Sequence, residues 1–143
     1  MYIEYKNYPV HLFISALSAP QIIDSKSPIH NLSESDFIDK LRDYNGTPNV
    51  VLEDKELMAL FLPVLRADFA VLGTYTYHNA PPLECPISIF GGLEDDKVPI
   101  EELEAWREQT NNSFSLEIFP GGHFFINDFY LLLIEKISEV LKN

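Results

Sequence analysis

His123 sits in the stretch FPGGHFFI (119–126), with two glycines directly before it and two phenylalanines directly after it. Imidazole is the side chain best suited to moving a proton near neutral pH, and a Gly-Gly pair lets a loop carry it away from a strand end. By itself the pattern is ordinary, since Gly-Gly after a strand is turn chemistry and a histidine among aromatics is commonly a packing residue. The chemistry changes if the fold delivers a carboxylate to the same place. An acid beside the ring fixes the imidazole tautomer and stabilises its protonated form, so that the second ring nitrogen can take a proton from a nucleophile. The chain holds a suitable cluster in GGLEDDKV (91–98), namely Glu94, Asp95 and Asp96. A metal site built from these three and His123 is chemically conceivable. Adjacent carboxylates on a loop are more often a solvated turn, however, and the histidines at 11, 30, 78 and 123 lack ligand spacing, so no metal is expected.

The elements that must position these residues are legible in the apolar pattern. CPISIFGG (85–92) and SFSLEIFP (113–120) read as short buried strands. Between them PIEELEAWREQT (99–110) reads as a helix opened by Pro99, with Glu101 and Glu102 in its first turn. NDFYLLLIEKISEVLKN (127–143) reads as a closing helix capped by Asn127 or Asp128. Strand, helix, strand, helix at this spacing is a βαβ unit with a parallel sheet. Its two parallel strands run the same way and, if adjacent, lie ~4.8 Å apart, so the acidic loop after one and the histidine loop after the other share a rim.

Earlier in the chain His11–Leu17 (HLFISAL) reads as another buried strand, followed by a turn at SAPQ. Residues 33–78 then form a helical excursion. Ser33 caps a first helix that Gly46 stops, and Thr47 caps a second with Pro48 at its first helical position. Leu57, Leu60, Phe61, Val64 and Leu65 recur at amphipathic spacing in a third helix interrupted or restarted at Pro63, with a further helical stretch from Arg66 to about Tyr75.

Composition narrows the function classes. At 143 residues and 46% hydrophobic the chain suits one domain with a real core. Ten Lys and Arg against 22 Asp and Glu give a formal charge of −12, which disfavours nucleic acid, anionic membranes and acidic proteins as partners. No apolar run approaches the ~18 residues of a membrane span, and MYIEYKNYPV lacks a basic-then-apolar leader, so a soluble cytoplasmic protein is expected. Cys85 has no second cysteine to pair with and is expected to be a small buried residue at the start of a strand.

GLEDDKV followed by FPGGHFF resembles the acid and histidine loops of the α/β-hydrolase fold. Together with HLFISALSAP, IHNLSESDFI, GTP, LPVLRADF, PLECPISIFGG and AWREQT, in that order, the chain is similar to the type II thioesterases that serve nonribosomal peptide and polyketide synthetases. The resemblance implies about three parallel strands with flanking helices, and a helical lid over an acyl-binding chamber at residues 33–78. On the family pattern Gly-x-x-Asp-x-x-Val, carried here by Gly92, Asp95 and Val98, the catalytic acid is Asp95, with Asp96 as the fallback, and the catalytic base is His123. The implied reaction is hydrolysis of an acyl thioester on the phosphopantetheine arm of a carrier protein, through a serine on a sharp strand-to-helix turn and with no cofactor.

That serine's turn, Gly-x-Ser-x-Gly, occurs nowhere among the 143 residues, which contain six glycines. The chain is therefore expected to be a single partial α/β-hydrolase domain, residues 1–143, corresponding to the C-terminal part of a thioesterase and inactive alone. The 11–17 strand is then expected to be an edge that self-associates or pairs with a missing N-terminal half. The alternative function is a noncatalytic module that binds acyl groups or a carrier protein.

Overall fold

The computed structural model describes residues 9–23 and 28–142, so most of the stretch inspected above for a leader, residues 1–8, lies outside the described residues. One parallel sheet carries the strands in the order β1 (Leu12–Ser15), β2 (Ile87–Gly92), β3 (Phe114–Phe119). Leu12 pairs with Ile87, and Ile87 in turn with Phe114; at the other end Gly92 pairs with Phe119. The expected parallel α/β sheet is present, with each strand shorter than its apolar run. His11, Cys85 and Leu17 fall outside the ladders.

The strand β2 is buried along its whole length, which is why ISIFGG reads as a continuous apolar run and not as an alternation. On one face Ile87 and Ile89 are sealed, and Gly91 lies under Leu103 of helix α5 (Ile100–Glu104). On the other, Phe90, Phe119, Phe125 and Leu133 form a core with Phe13 and Ala16 packed against it. Leu133 belongs to the closing helix α6 (Ile126–Lys142). Between α5 and β3 the chain tightens into a 3-10 turn, Ala105–Gln109, so the segment expected as one helix is divided. Helix α6 begins at Ile126, ahead of both expected caps.

Two polar devices tie this sheet together. Ser88, buried in β2, is 2.9 Å from His11 Nε2 and 2.8 Å from Ser115 Oγ, so its hydroxyl is satisfied between β3 and the residue just before β1. Beyond β1, the Trp106 indole N–H donates to the Leu17 carbonyl at 2.8 Å, and Ser18 donates to the Glu102 carboxylate. Leu17 and Ser18 are used to fasten the strand exit to the helix beside it. Cys85 is buried as expected, and that burial pushes its thiol up. Among the described residues β1 has one strand neighbour, β2.

Residues 20–78 form a second compact unit, beginning earlier than the expected excursion because α1 (Pro20–Ile23) and a 3-10 turn at Ile29–Asn31 belong to it. Its core is Phe37 and Leu41 from α2 (Glu34–Tyr44), Leu52 from α3 (Asn49–Glu53) and Met58 from α4 (Lys55–Gly73). Ser33 caps α2 by accepting from the Asp36 N–H, as its Ser-x-x-Asp pattern requires. The helix is closed not by Gly46 but by Asn45, which takes the left-handed conformation at φ 55 that asparagine tolerates. Pro48 stands at the cap of α3, one position before its expected place. Asp54 accepts from the N–H groups of Glu56 and Leu57 to start α4.

Helix α4 runs without a break through Pro63 to Gly73. A mid-helix proline costs about 3 kcal/mol through its lost donor and ring clash. Leu62, Leu65 and Phe69 on either side pack against one core, and that shared burial outweighs the local penalty. No helix among the described residues is long and apolar enough to cross a membrane.

Candidate active site

Two loops leave neighbouring parallel strands at the same rim. After β2 the chain turns through residues 93–98, and after β3 through residues 120–125. Their backbones are joined directly: the Leu93 N–H donates to the Phe119 carbonyl at 2.8 Å, and the Glu94 N–H to the Gly121 carbonyl at 2.9 Å. Close approach is built into Gly92. A Cβ there would lie 2.3 Å from the Gly122 carbonyl oxygen and 2.5 Å from that of Gly121. Gly121 has φ +103, a conformation that residues with a Cβ rarely adopt.

Asp95 and His123 meet across this junction, with His123 Nδ1 2.9 Å from Asp95 Oδ2. The aspartate side chain is wholly buried and the histidine side chain 21% exposed, so the ring sits at the surface end of a buried acid. Because a carboxylate only accepts, the bond assigns the ring proton to Nδ1. The other carboxylate oxygen, Oδ1, accepts from the N–H groups of Lys97 and Val98 at 2.8 and 3.1 Å. A short acidic side chain reaching backbone donors two and three residues ahead is an Asx-type turn. It holds the acid through bonds that do not involve the histidine, and its signal, an aspartate opening DDKV, was available in the sequence.

The neighbouring acids take other roles. Asp96 is exposed and pairs with Lys97 Nζ at 3.0 Å; this hydrogen bond, foremost, holds its carboxyl below the usual carboxylate range. The geometry thus sets Asp95, and not the fallback Asp96, against the imidazole. Glu94 turns its carboxylate back to accept from the Gly121 N–H. Among the described residues the acidic cluster does not converge with His123 on a common point that a cation could fill.

The two phenylalanines after the histidine are placed differently. Phe125 is buried and stacks on Phe119 with ring centres 5.3 Å apart. Phe124 is 38% exposed and meets the His123 ring edge-on at 5.1 Å. Successive side chains on a tight turn leave in different directions, so only one of the pair can enter the core. His11, which had no evident partner in the sequence, is engaged with Ser88, whose identity as a neighbour depends on strand register.

A buried acid orienting a half-exposed imidazole is a proton-transfer pair found in several kinds of hydrolase, so the arrangement alone leaves the family open. The comparisons narrow it. The thioesterase domain family matches residues 4–141. The gramicidin S biosynthesis protein GrsT of Aneurinibacillus migulanus is 49% identical over 134 residues, covering 94% of this chain and 52% of GrsT. Among solved structures, the type II thioesterase BorB from the borrelidin biosynthetic cluster superposes with a TM-score of 0.85 at 33% identity, over 96% of this chain and 56% of BorB. ClbQ from the colibactin NRPS/PKS pathway gives the same TM-score at 29% identity, over 95% of this chain and 58% of ClbQ. The chain spans about half the length of the relatives it matches. With the family's pattern running from residue 4 to residue 141, and the fold of its solved members reproduced at this similarity, the chain belongs to the thioesterase domain family on an α/β-hydrolase fold.

Proposed function

We propose that this chain supplies the acid and the base of a type II thioesterase that removes acyl groups from the phosphopantetheine arm of carrier proteins in nonribosomal peptide or polyketide synthesis. The observation that carries the reading is the Asp95–His123 hydrogen bond on the rim of the parallel sheet. Membership of the thioesterase family supports the reaction class, and the names of GrsT, BorB and ClbQ support the pathway class.

In this reading a serine hydroxyl attacks the thioester carbonyl carbon while His123 accepts the hydroxyl proton at Nε2, and Asp95 stabilises the imidazolium through Nδ1. The tetrahedral intermediate collapses, breaking the carbon–sulfur bond. His123 returns the proton to the departing thiolate, which leaves as the carrier's free thiol. Water then attacks the acyl-serine by the same route, releasing the carboxylic acid and restoring the serine. None of the serines in these 143 residues stands between glycines two positions away on each side, so the nucleophile is assigned to sequence outside them. Residues 33–78 are assigned the role of lid.

The β1 strand, with one neighbour among the described residues, is the proposed seat for the segment that brings the nucleophile, or for a second copy of this chain. Size exclusion over a range of concentrations tests this. A monomer throughout, with no capture of the segment of GrsT that lies outside the match, counts against it.

The catalytic reading is tested by adding that GrsT segment, confirming assembly, and supplying an acyl-carrier thioester. The chain alone is expected to give no hydrolysis above background and no labelling by a fluorophosphonate probe. The assembled pair is expected to hydrolyse the thioester and to lose about 10⁶ of the rate on His123→Ala and about 10⁴ on Asp95→Asn. Labelling of a serine within the 143 residues, or full activity of His123→Ala, sinks the assignment. An assembled pair that binds acyl-carrier without hydrolysing it would favour the noncatalytic binding module, the reading supported by the missing Gly-x-Ser-x-Gly turn.

A further inference from the structure

We infer that Glu94 is a positioning residue for His123, acting through the turn at Gly121; this rests on reading Asp95 and His123 as the proton-transfer pair. An exposed glutamate in an acidic loop is ordinarily solvated, yet the Glu94 carboxylate accepts a hydrogen bond from the Gly121 N–H. At the same time the Glu94 N–H donates to the Gly121 carbonyl at 2.9 Å. One residue of the acid loop therefore holds both polar groups of one residue of the histidine loop.

The residue held is the one that most needs holding. Gly121, at φ +103, is free of the steric limits that a Cβ imposes, so its flanking peptides have alternative orientations open to them. Two residues further on is His123. The Glu94 backbone bond fixes the peptide after Gly121, and the carboxylate fixes the peptide before it. Phe119 is held below through the Leu93 N–H, and Gly122 packs over the Cα of Gly92. The two loops are thus zipped from strand to histidine, with the Asp95–His123 bond as the last link. Of the links that lead up to that bond, the Glu94 carboxylate is the one made by a side chain, and its removal leaves the backbone intact.

The experiment follows the Nδ1 proton of His123 by NMR in the 143-residue chain carrying ¹⁵N-labelled histidine, comparing the wild type with Glu94→Ala, Glu94→Gln and Asp95→Asn. Glu94→Ala is expected to keep the ring protonated at Nδ1 but to exchange that proton with solvent about tenfold faster, the effect of losing one charge-assisted hydrogen bond. Glu94→Gln keeps an acceptor oxygen and is expected to stay within about twofold of the wild type. Exchange of backbone amides in β2 and β3 is expected to be unchanged in both. If Glu94→Ala leaves the Nδ1 proton untouched while Asp95→Asn disturbs it, the positioning role falls and the Asp95–His123 pair stands. If Glu94→Ala speeds the strand amides equally, the residue is merely structural and the inference is overturned. If Asp95→Asn leaves the tautomer and its exchange unaltered, the underlying pair fails and Glu94's role with it.

Discussion

Replacing Gly92 with alanine places a methyl group 2.3 Å from the carbonyl oxygen of Gly122 and 2.5 Å from that of Gly121. Ordinary carbon–oxygen contacts begin near ~3.3 Å, so the histidine loop has to withdraw by about 1 Å. Both obstacles are backbone atoms, and no rotamer change can clear them. His123 rides on this loop with Nδ1 only 2.9 Å from Asp95, and a retreat of about 1 Å takes that bond past hydrogen-bonding range. Overpacking of this kind costs roughly 1–3 kcal/mol. A buried carboxylate oxygen left without its donor costs roughly 1–3 kcal/mol more. Taking about 3 kcal/mol in all, and about 4 °C per kcal/mol for a chain of this length, Tm falls by about 12 °C. The adjacent Gly91 is the internal control. A Cβ there meets Leu103 Cδ1, also at 2.3 Å, but that atom is the tip of a side chain that can rotate. Gly91→Ala is expected to cost about 1–2 kcal/mol and to leave the His123 Nδ1 proton in place, whereas Gly92→Ala removes its resonance. Thermal melts followed by circular dichroism, paired with NMR of ¹⁵N-labelled histidine, make the comparison. A Gly92→Ala protein that melts with the wild type and keeps the Nδ1 resonance would refute the claim that the two loops are in rigid contact.

Other consequences are equally direct. Trp106→Phe deletes the indole donor to the Leu17 carbonyl and is expected to lower the urea midpoint by an amount equivalent to about 1–2 kcal/mol; an unchanged midpoint would show that this tie is not stabilising. Arg66 lies 4.6 Å over the Phe37 ring and donates to the His30 carbonyl at 2.6 Å, so Arg66→Ala is expected to cost about 1–2 kcal/mol. Hydrogen exchange should then quicken in α2 and α4, and equal quickening in β2 would contradict an effect local to residues 20–78. Burial holds the His11 imidazole below its ordinary value of 6.5 in the folded chain. The unfolded chain therefore binds this proton at higher pH, and the stabilisation is full above 6.5 and is lost as pH falls through the folded value. Urea midpoints of wild type and His11→Gln between pH 7.5 and about 5 should show the shallower decline in the variant; a steeper one would reverse the sign of the argument.

The sequence determined the strands, because ISIFGG and SFSLEIF are local apolar runs punctuated by glycine and proline, and such runs carry their own signal; their adjacency was decided by the sheet. The sequence also determined the cap at Ser33 and the presence of an acid and a histidine on two strand-exit loops for the same reason: each depends on residues a few positions apart. The continuity of α4 through Pro63 was not legible, since the local penalty is visible in the chain and the shared core that outweighs it is not. Among Glu94, Asp95 and Asp96 the resemblance singled out Asp95 through its place between Gly92 and Val98, but the partners of the other two were not legible. Strand register and loop contact gave one to a backbone N–H, one to the imidazole and one to a lysine. His11 found Ser88 across 77 positions by the same means. Local preference is written residue by residue, but which polar groups become neighbours is decided only when distant segments are packed, since burial forces each of them to find the partner that lies within reach.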